Sequence, residues 1–307
     1  MYGKWIAKAA VQKSISALPN PQRANYFFQR HITHSTTLAQ GFLNQRIIWS
    51  RLHLEAFDRM GGERRDMVVA ELGSGWYPIL PLCYFLVGAS TVWMLDLEDL
   101  TRPELVIQAV DGLLDASEDG RLDNLGVDAE RLERLRELAQ RTHRNDGAIT
   151  LGSLGIKALP GDARTIELPA SPDLITSNTV LEHIDAISLE GILRRFAEIA
   201  HPGMVMSHLI DHCDHYAYTD SSLSVYHFLQ YSDRAWRLID NSVQPMNRLR
   251  ASEYIAMYER VGIPVNEEVR HGCDPTALIG TPLSPRFRSM DPSDVSCTSS
   301  HIVTRFD

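Results

Sequence analysis

The sequence has few cysteines, and their spacing excludes the common metal-binding motifs. Its 307 residues include four cysteines, at positions 83, 213, 273 and 297. None of them forms a CxxC pair, so zinc ribbons and thioredoxin-like redox motifs are not expected. The pattern is typical of reduced structural thiols, and we therefore expect a cytoplasmic protein.

Long apolar runs and excess positive charge are missing as well. The longest apolar stretch, residues 79–89, contains proline and glycine and is shorter than the ~20 residues that cross a bilayer. No membrane span is therefore expected. Basic residues number 30 and acidic residues 39, for a net charge of −9. Because this charge repels a phosphate backbone, nucleic acid is not an expected partner.

The sequence does contain short apolar runs that alternate with helical patterns. Its hydrophobic and charged fractions, 44% and 22%, are ordinary globular values. Strands are expected at residues 67–72, 91–96, 156–159, 173–177, 204–210, 263–269 and 300–306. Helices are expected at residues 5–15, 36–60, 78–86, 101–115, 128–141, 187–200, 222–241 and 252–261. This alternation predicts an α/β fold with a mostly parallel sheet of seven strands and one antiparallel edge strand.

Two regions are expected beside the sheet. The helical residues 1–62 are predicted to form an N-terminal cap on a domain that spans residues 63–307. Within that domain, residues 211–300 are predicted to supply helices and a long loop for the substrate, because loops of this length are usually functional or disordered.

A glycine turn follows the first predicted strand, in the segment Glu71-Leu72-Gly73-Ser74-Gly75. Two glycines between a strand and a helix allow a sharp turn and let a ligand approach the backbone. The helix behind them offers unpaired N–H groups to an anion. A purely structural turn is the other interpretation of this motif taken alone.

Asp96 favours a nucleoside site. It ends the second predicted strand, 23 residues after Gly73, close to the ~20 residues that precede the ribose-binding acid of nucleotide-binding folds. A solvated acid or a helix cap is the alternative role for Asp96. Pro78 stands where a dinucleotide motif has its third small residue, which disfavours NAD.

Taken together, several segments resemble the class I S-adenosylmethionine (SAM)-dependent methyltransferases. They are the turn at 71–78, Asp96, Gly161-Asp162-Ala163, residues 173–184 and His201-Pro202-Gly203. The resemblance runs from about residue 68 to 205 and implies a Rossmann-like fold. It implies that Gly73 and Gly75 border the methionine moiety of SAM, Asp96 the ribose and Asp162 the adenine. The full set of cofactor-binding residues that it implies is Glu71, Gly73, Ser74, Gly75, Asp96, Leu97, Asp162, Ala163 and Asn178.

A polar cluster follows the fourth and fifth predicted strands. Its members are Glu182, His183, His208, Asp211, His212, Asp214 and His215. In one interpretation a histidine, among His183, His208, His212 and His215, is the general base for an acceptor hydroxyl, oriented by Asp211 or Asp214. In a second, Glu182, His183 and His208 hold a divalent cation such as Mg²⁺. In a third, these residues cap secondary structure and have no catalytic role.

The resemblance and the cluster together predict a SAM-dependent O-methyltransferase. The expected acceptor is a sugar, an oligosaccharide or a small natural product, because residues 208–250 resemble bacterial methyltransferases of such pathways. Self-association into a homo-oligomer is compatible with the sequence. An N-methyltransferase, a nicotinamide-dependent oxidoreductase and a non-catalytic nucleoside-binding protein are the alternatives, since a fold alone does not establish an activity.

Overall fold

The computed structural model describes residues 4–16, 38–143 and 150–307. Its strands are β1 (Val68–Leu72), β2 (Thr91–Asp96), β3 (Ile156–Pro160), β4 (Leu174–Asn178), β5 (Val205–Asp211), β6 (Glu267–His271) and β7 (Ser299–Arg305). They form a seven-stranded sheet in the order β3-β2-β1-β4-β5-β7-β6. All seven predicted strands are present, and the sixth begins four residues later than predicted.

The described α-helices are α1 (Lys4–Ser16), α2 (Gln40–Arg59), α3 (Ile79–Leu86), α4 (Pro103–Glu118), α5 (Ala129–His143), α6 (Ala186–Glu198), α7 (Asp233–Ile239), α8 (Ala251–Val261), α9 (Pro285–Arg288) and α10 (Pro292–Ser296). Strands β1 to β5 are parallel. Strand β7 runs antiparallel between β5 and the edge strand β6. The predicted Rossmann-like, mostly parallel sheet is thereby confirmed.

Alternate side chains of β1 point to opposite faces of the sheet. Val69 belongs to the core that α2, α3, α4 and α5 build on one face. Ala70 and Leu72 belong to the core that α6 and α8 build on the other face. Glu71 lies two residues after Val69 and therefore points toward the face that α2 covers. The same burial on both faces explains why the parallel strands are nearly continuous apolar runs.

The two N-terminal helices pack in different places. Helix α2 buries Leu43, Ile47, Leu54 and Phe57 in the core over the sheet. Helix α1 instead contacts the region after β5, where Gln12 donates a hydrogen bond to Gln244. The predicted domain boundary at residue 62 stays a prediction, and the predicted start of the second helix at residues 36–37 lies outside the described residues.

The prediction of one helix over residues 222–241 is wrong for most of its length. Within that stretch the α-helix is confined to α7, preceded by a 3₁₀ turn at His227–Gln230. Tyr226, Phe228 and Trp236 are buried in a separate core beneath this region. Their spacing resembles helical periodicity although most of the segment is irregular. It reflects the inward packing of aromatic side chains and not a continuous helix.

Cys273 and Cys297 form a disulfide, so the prediction of reduced thiols is wrong for this pair. The bond joins the loop after β6 to the segment just before β7, across the base of the long excursion between these strands. Strand pairing brings together two cysteines that are 24 residues apart. Cys83 and Cys213 are free and buried. The cytoplasmic location, which was inferred from reduced thiols, stays a prediction.

In the part of the chain that the structure describes, no helix combines the length and the hydrophobicity needed to cross a bilayer.

Reduction of the disulfide is expected to lower the melting temperature. Closing a loop of ~25 residues restricts the unfolded chain by an amount equivalent to about 3 kcal/mol. A reductant should therefore lower the melting temperature of the wild-type protein and have no effect on that of Cys273→Ser. Differential scanning calorimetry with and without reductant measures both. A wild-type melting temperature that reductant does not change would contradict the disulfide.

Candidate functional site

A cavity of about 730 Å³ lies at the carboxyl ends of β1, β2, β3 and β4. Parallel α/β sheets bind their ligands at this edge. One end of the cavity is bordered by Gly73, Asp96 and Asp162, and the other by His183 and Gln244. The cavity therefore joins the predicted nucleoside site to the predicted histidine cluster in a continuous space.

The glycine turn requires glycine at its first position. Gly73 has φ +75° and Gly75 has φ +65°, a region that L side chains rarely adopt. A Cβ atom on Gly73 would lie 2.3 Å from Cγ2 of Val180. The Gly73 N–H donates to the carbonyl oxygen of Leu95 over 2.7 Å. The turn is thus held close to the end of β2 and leaves its backbone open toward the cavity.

A strained residue turns the chain at the end of β4. Thr179 has φ +52°, which is unusual for a β-branched side chain. Its N–H donates to the carbonyl of Leu209 over 2.9 Å. This turn places Val180 against the glycine turn and directs the following residues, including His183, toward the cavity. Such strain commonly accompanies functional sites.

Asp96 lies where a ribose-binding acid is expected. Its carboxylate accepts hydrogen bonds from the backbone N–H groups of Gly75 (3.3 Å) and Leu97 (2.8 Å). It lines the cavity, and burial raises its pKa above the usual value. Leu97, which is 74% exposed, offers apolar surface next to it. These two residues can hold the diol and one face of a nucleoside.

Asp162 also lines the cavity, but it already has a partner. Its carboxylate binds the guanidinium of Arg164 at 2.5 Å, and this contact holds the pKa of Asp162 below its usual value. A ligand amino group would share this carboxylate with Arg164. Ala163 is buried between them at the cavity wall. The sequence pattern does not reveal that Arg164, two positions after Asp162, shares this carboxylate.

Arg46 and Glu71 face each other beside the glycine turn without forming an ion pair. Arg46 lies between the rings of Phe42 and Trp49, 4.4 and 4.2 Å from their centroids. Burial lowers the pKa of Arg46 to about 10, against the opposing effect of Glu71. Glu71 is 3% exposed, and burial raises its pKa to about 7.

The polar atoms of this pair are not satisfied. Among the described residues, neither Oε2 of Glu71 nor Nη1 of Arg46 has a hydrogen-bond partner. A buried polar atom of this kind costs about 1–3 kcal/mol. A ligand that brings an ammonium group to Glu71 and a carboxylate to Arg46 would remove that cost. Ser74, between the glycines, bonds back to the Glu71 carbonyl and closes the turn.

His183 is the histidine of the predicted cluster that lines the cavity. Its Nδ1 lies 2.6 Å from the carbonyl oxygen of Pro245. Because a carbonyl oxygen can only accept, Nδ1 carries the proton and donates it to this hydrogen bond. The Nε2 atom therefore carries the lone pair. Burial lowers the pKa of His183 to about 4, so the ring is neutral at pH 7. The His215 ring lies 4.8 Å away, and its Nε2 is 3.1 Å from Asp211.

The structure removes His208 and His212 from the candidate bases. His208 is completely buried on the α8 face of β5, where its Nδ1 bonds Ser177 over 2.7 Å. His212 is 1% exposed, and its Nε2 bonds Ser300 over 2.9 Å. Neither side chain lines the cavity. The alternation of strand side chains explains this outcome, since residues 206, 208 and 210 share the core face.

The alternation of strand side chains also changes the predicted roles of Asn178 in cofactor binding and of His208 in metal binding. The Asn178 side chain points to the α2 face, where Oδ1 lies 2.9 Å from Nε2 of His53, so it does not line the cavity. His208 cannot join Glu182 and His183 as a metal ligand. His215 takes that place, with ligand atoms of Glu182, His183 and His215 within 4.8 Å of one another.

Residues after α7 hold the loop that carries Glu182 and His183. Asn247 donates from its side chain to the carbonyls of Leu181 and Ile184, both at 2.8 Å. Arg248 and Arg250 are buried and donate to backbone carbonyls. They therefore have a structural role in this region. Gln244, at the cavity end, gave no signal in the sequence.

No family model matches the sequence, and no curated protein matches it significantly. Several solved structures resemble the chain. A SAM-dependent methyltransferase from Clostridium acetobutylicum is 10% identical, with 92% of this chain and 98% of that one covered and a TM-score of 0.44. Human N-acetylserotonin methyltransferase in complex with SAM is 14% identical, with 98% and 65% covered and a TM-score of 0.45. An O-methyltransferase family protein from Burkholderia thailandensis is 14% identical, with 98% and 71% covered and a TM-score of 0.42. The function is therefore inferred below from the residues of this chain.

The raised pKa of Glu71 predicts a pH-dependent stability of the ligand-free protein. Between the usual value of 4.5 and about 7, the unfolded chain releases a proton that the folded protein keeps, so the unfolding free energy falls as pH rises. The loss reaches at most about 3 kcal/mol above pH 7. Glu71→Gln should therefore raise the melting temperature by a few degrees at pH 8 and by much less at pH 5.

Thermal unfolding at the two pH values measures this difference. Glu63 is exposed, so Glu63→Gln makes the same change of charge on the surface. It should change the melting temperature by a similar, small amount at pH 5 and at pH 8. An equal effect of Glu71→Gln at pH 5 and pH 8 would contradict the strained carboxylate.

Proposed function

We propose that this protein is a SAM-dependent methyltransferase that acts on a hydroxyl group of a sugar, an oligosaccharide or a small natural product. The observation that carries the proposal is the pair of Glu71 and Arg46. Their buried, unsatisfied polar atoms lie beside a glycine turn at the edge of the sheet where α/β folds bind ligands.

The pair fits the amino-acid end of SAM. Its ammonium group would donate to Oε2 of Glu71, and its carboxylate would accept from Nη1 of Arg46. Each contact would satisfy an atom that has no partner within the described part of the chain. NAD has no ammonium group to offer Glu71, so the same geometry favours SAM over a nicotinamide cofactor.

Glu71 and Arg46 do not line the cavity themselves, but Leu72 and Gly73, which follow Glu71, do. The nucleoside part of SAM fits the cavity at that point. The Asp96 carboxylate can accept hydrogen bonds from both ribose hydroxyls, and Leu97 can pack on the adenine. The cavity continues past Val180 to His183. A cofactor anchored at Glu71 and Asp96 would therefore direct its sulfonium toward the histidine end.

The acceptor end of the cavity combines apolar residues, such as Val243 and Pro245, with amide and hydroxyl side chains. Gln12, Ser242 and Gln244 line it, and amide and hydroxyl side chains are suited to bind the hydroxyl groups of a sugar. Arg164, the one arginine among the described lining residues, is paired with Asp162. These features favour a neutral polyhydroxylated acceptor over a phosphate or a carboxylate.

When bound, SAM supplies a methyl group on a positively charged sulfur, which keeps the bonding electron pair when the methyl group is transferred in line to the acceptor oxygen. The chain then needs to place the acceptor and to assist loss of its proton. Pro245 fixes the His183 ring so that Nε2 is free to act on that hydroxyl. Helix α1, through the hydrogen bond from Gln12 to Gln244, helps to close this end of the cavity against water.

Removal of the ribose-binding carboxylate should weaken cofactor binding. Asp96→Ala removes two charge-assisted hydrogen bonds, so the Kd of S-adenosylhomocysteine should rise by about tenfold or more. The neighbouring exposed Glu98→Gln changes the same charge without losing a proposed contact, and its Kd should stay within about twofold. Isothermal titration calorimetry measures both. Equal Kd values for Asp96→Ala and wild type would exclude the ribose role.

Substitution of His183 should affect turnover, whereas substitution of His208 should affect stability. His183→Gln should lower turnover by about a hundredfold or more and leave the Kd of S-adenosylhomocysteine within a few-fold. His208→Gln should lower the melting temperature, since it disturbs a buried hydrogen bond, and should keep turnover per folded molecule. The assay follows transfer of labelled methyl groups from SAM to an acceptor found among sugars and small polyols. Full turnover in His183→Gln would point to an amine acceptor, which needs little help in losing a proton.

A further inference from the structure

A buried carboxylate next to two imidazoles lies beside the acceptor end of the cavity. Ligand atoms of Glu182, His183 and His215 are all within 4.8 Å of one another. Glu182 is 2% exposed, and neither of its carboxylate oxygens has a hydrogen-bond partner among the residues that the structure describes. This carboxylate is buried without the partner that such burial normally requires.

Both imidazoles are held in a defined orientation from outside the cluster. The Pro245 carbonyl fixes the proton of His183 on Nδ1 and leaves the Nε2 lone pair free. The Asp211 carboxylate accepts from Nε2 of His215 over 3.1 Å, and the amide of Gln244 lies 3.1 Å from Nδ1. Nδ1 of His215 therefore carries its lone pair. A carbonyl or a carboxylate on the far nitrogen is the usual outer support of a metal-binding histidine.

Asp211 is itself held in place. Its carboxylate accepts from the Tyr218 hydroxyl over 2.7 Å and from the Cys213 N–H over 2.8 Å. It can therefore orient His215 without being a ligand. Glu182 keeps two oxygens without a partner, and His183 keeps a free lone pair on Nε2. The lone pair on Nδ1 of His215 accepts from the Gln244 amide, which an incoming ion would displace.

We propose that Glu182, His183 and His215 bind one divalent transition-metal ion, which presents an open coordination position to the acceptor. Binding of the ion follows from the cluster alone, whereas its role toward the acceptor rests on the proposed methyltransferase function. The ion would hold the acceptor oxygen directly. With the ion bound, Nε2 of His183 would be a ligand and would no longer act as the base. The ion would take over that task by lowering the pKa of the hydroxyl, so that the proton leaves to solvent water.

The donor set decides the kind of ion. Two imidazoles with one carboxylate are typical of Zn²⁺ and other first-row transition metals, whereas Mg²⁺ prefers oxygen ligands. Zn²⁺, Co²⁺ or Mn²⁺ should therefore bind more tightly than the Mg²⁺ that the sequence suggested. Two ligands ~2.1 Å from one ion stand at most ~4.2 Å apart, so modest side-chain movements from the present 4.8 Å close the site.

Cobalt titration of the full chain tests the site without any methyl transfer. After treatment with a chelator, the wild type should bind one equivalent of Co²⁺ with visible absorption bands, and Zn²⁺ should displace it. Glu182→Gln and His215→Asn should each weaken binding by about tenfold or more. Glu182→Gln keeps the shape of the buried side chain. Melting temperatures identify any variant that fails to fold.

The exposed His271→Asn is the matched control for adventitious binding to surface histidines, and it should bind Co²⁺ as the wild type does. Equal Co²⁺ affinities of the wild type, Glu182→Gln and His215→Asn would overturn the proposal, as would tighter binding of Mg²⁺ than of Co²⁺. S-adenosylhomocysteine titrations of the same samples report on the methyltransferase function separately. If S-adenosylhomocysteine produced no heat of binding while Co²⁺ still bound, the methyltransferase function would be rejected and the metal site would be retained.

Discussion

Burial of negative charge at the carboxyl edge of the sheet is the constraint around which this site is organised. Glu71 at the end of β1 and Glu182 after β4 are almost fully buried, and each has at least one oxygen without a partner in the described structure. An unsatisfied buried carboxylate costs free energy that the fold must supply elsewhere. Each is next to a residue that lines the cavity, Leu72 and His183 respectively. In the two proposals a positively charged ligand group completes each carboxylate: an ammonium group at Glu71 and a metal ion at Glu182.

The fold sustains this cost by fixing the surrounding backbone. Thr179 holds a strained turn after β4, and Asn247 ties down the loop that carries Glu182. Buried Arg248 and Arg250 anchor the neighbouring chain through backbone carbonyls of the C-terminal region. Cofactor and acceptor ends are therefore coupled through one short loop, residues 179–184. A change at either end can reach the other through Val180, which packs against the Gly73 turn.

The sequence predicted the parallel strands and the positions of Gly73 and Asp96 at the strand ends, because both depend on local patterns. Apolar runs followed by Gly73 and Asp96 mark strand ends directly. The sequence-based prediction of site residues was wrong where a role depends on the face of the sheet to which a side chain points. It was also wrong where a role depends on contacts between residues that are far apart in sequence. His208 and His215 lie in one polar run, yet strand alternation buries the first in the core while the turn after β5 brings the second to Glu182. The disulfide and the proximity of Arg46 to Glu71 likewise involve segments that are distant in sequence, and no spacing rule reveals them.

In the proposed function, Glu71 and Arg46 recognise the amino-acid end of SAM. Calorimetric titration can compare S-adenosylhomocysteine, NADH and 5′-methylthioadenosine, which carries the same nucleoside without the amino acid. S-adenosylhomocysteine should bind tightly. Methylthioadenosine should bind at least a hundredfold more weakly, because two charge-assisted contacts are lost. NADH should produce no heat of binding. Equal affinities for S-adenosylhomocysteine and methylthioadenosine, or binding of NADH alone, would contradict the proposed recognition.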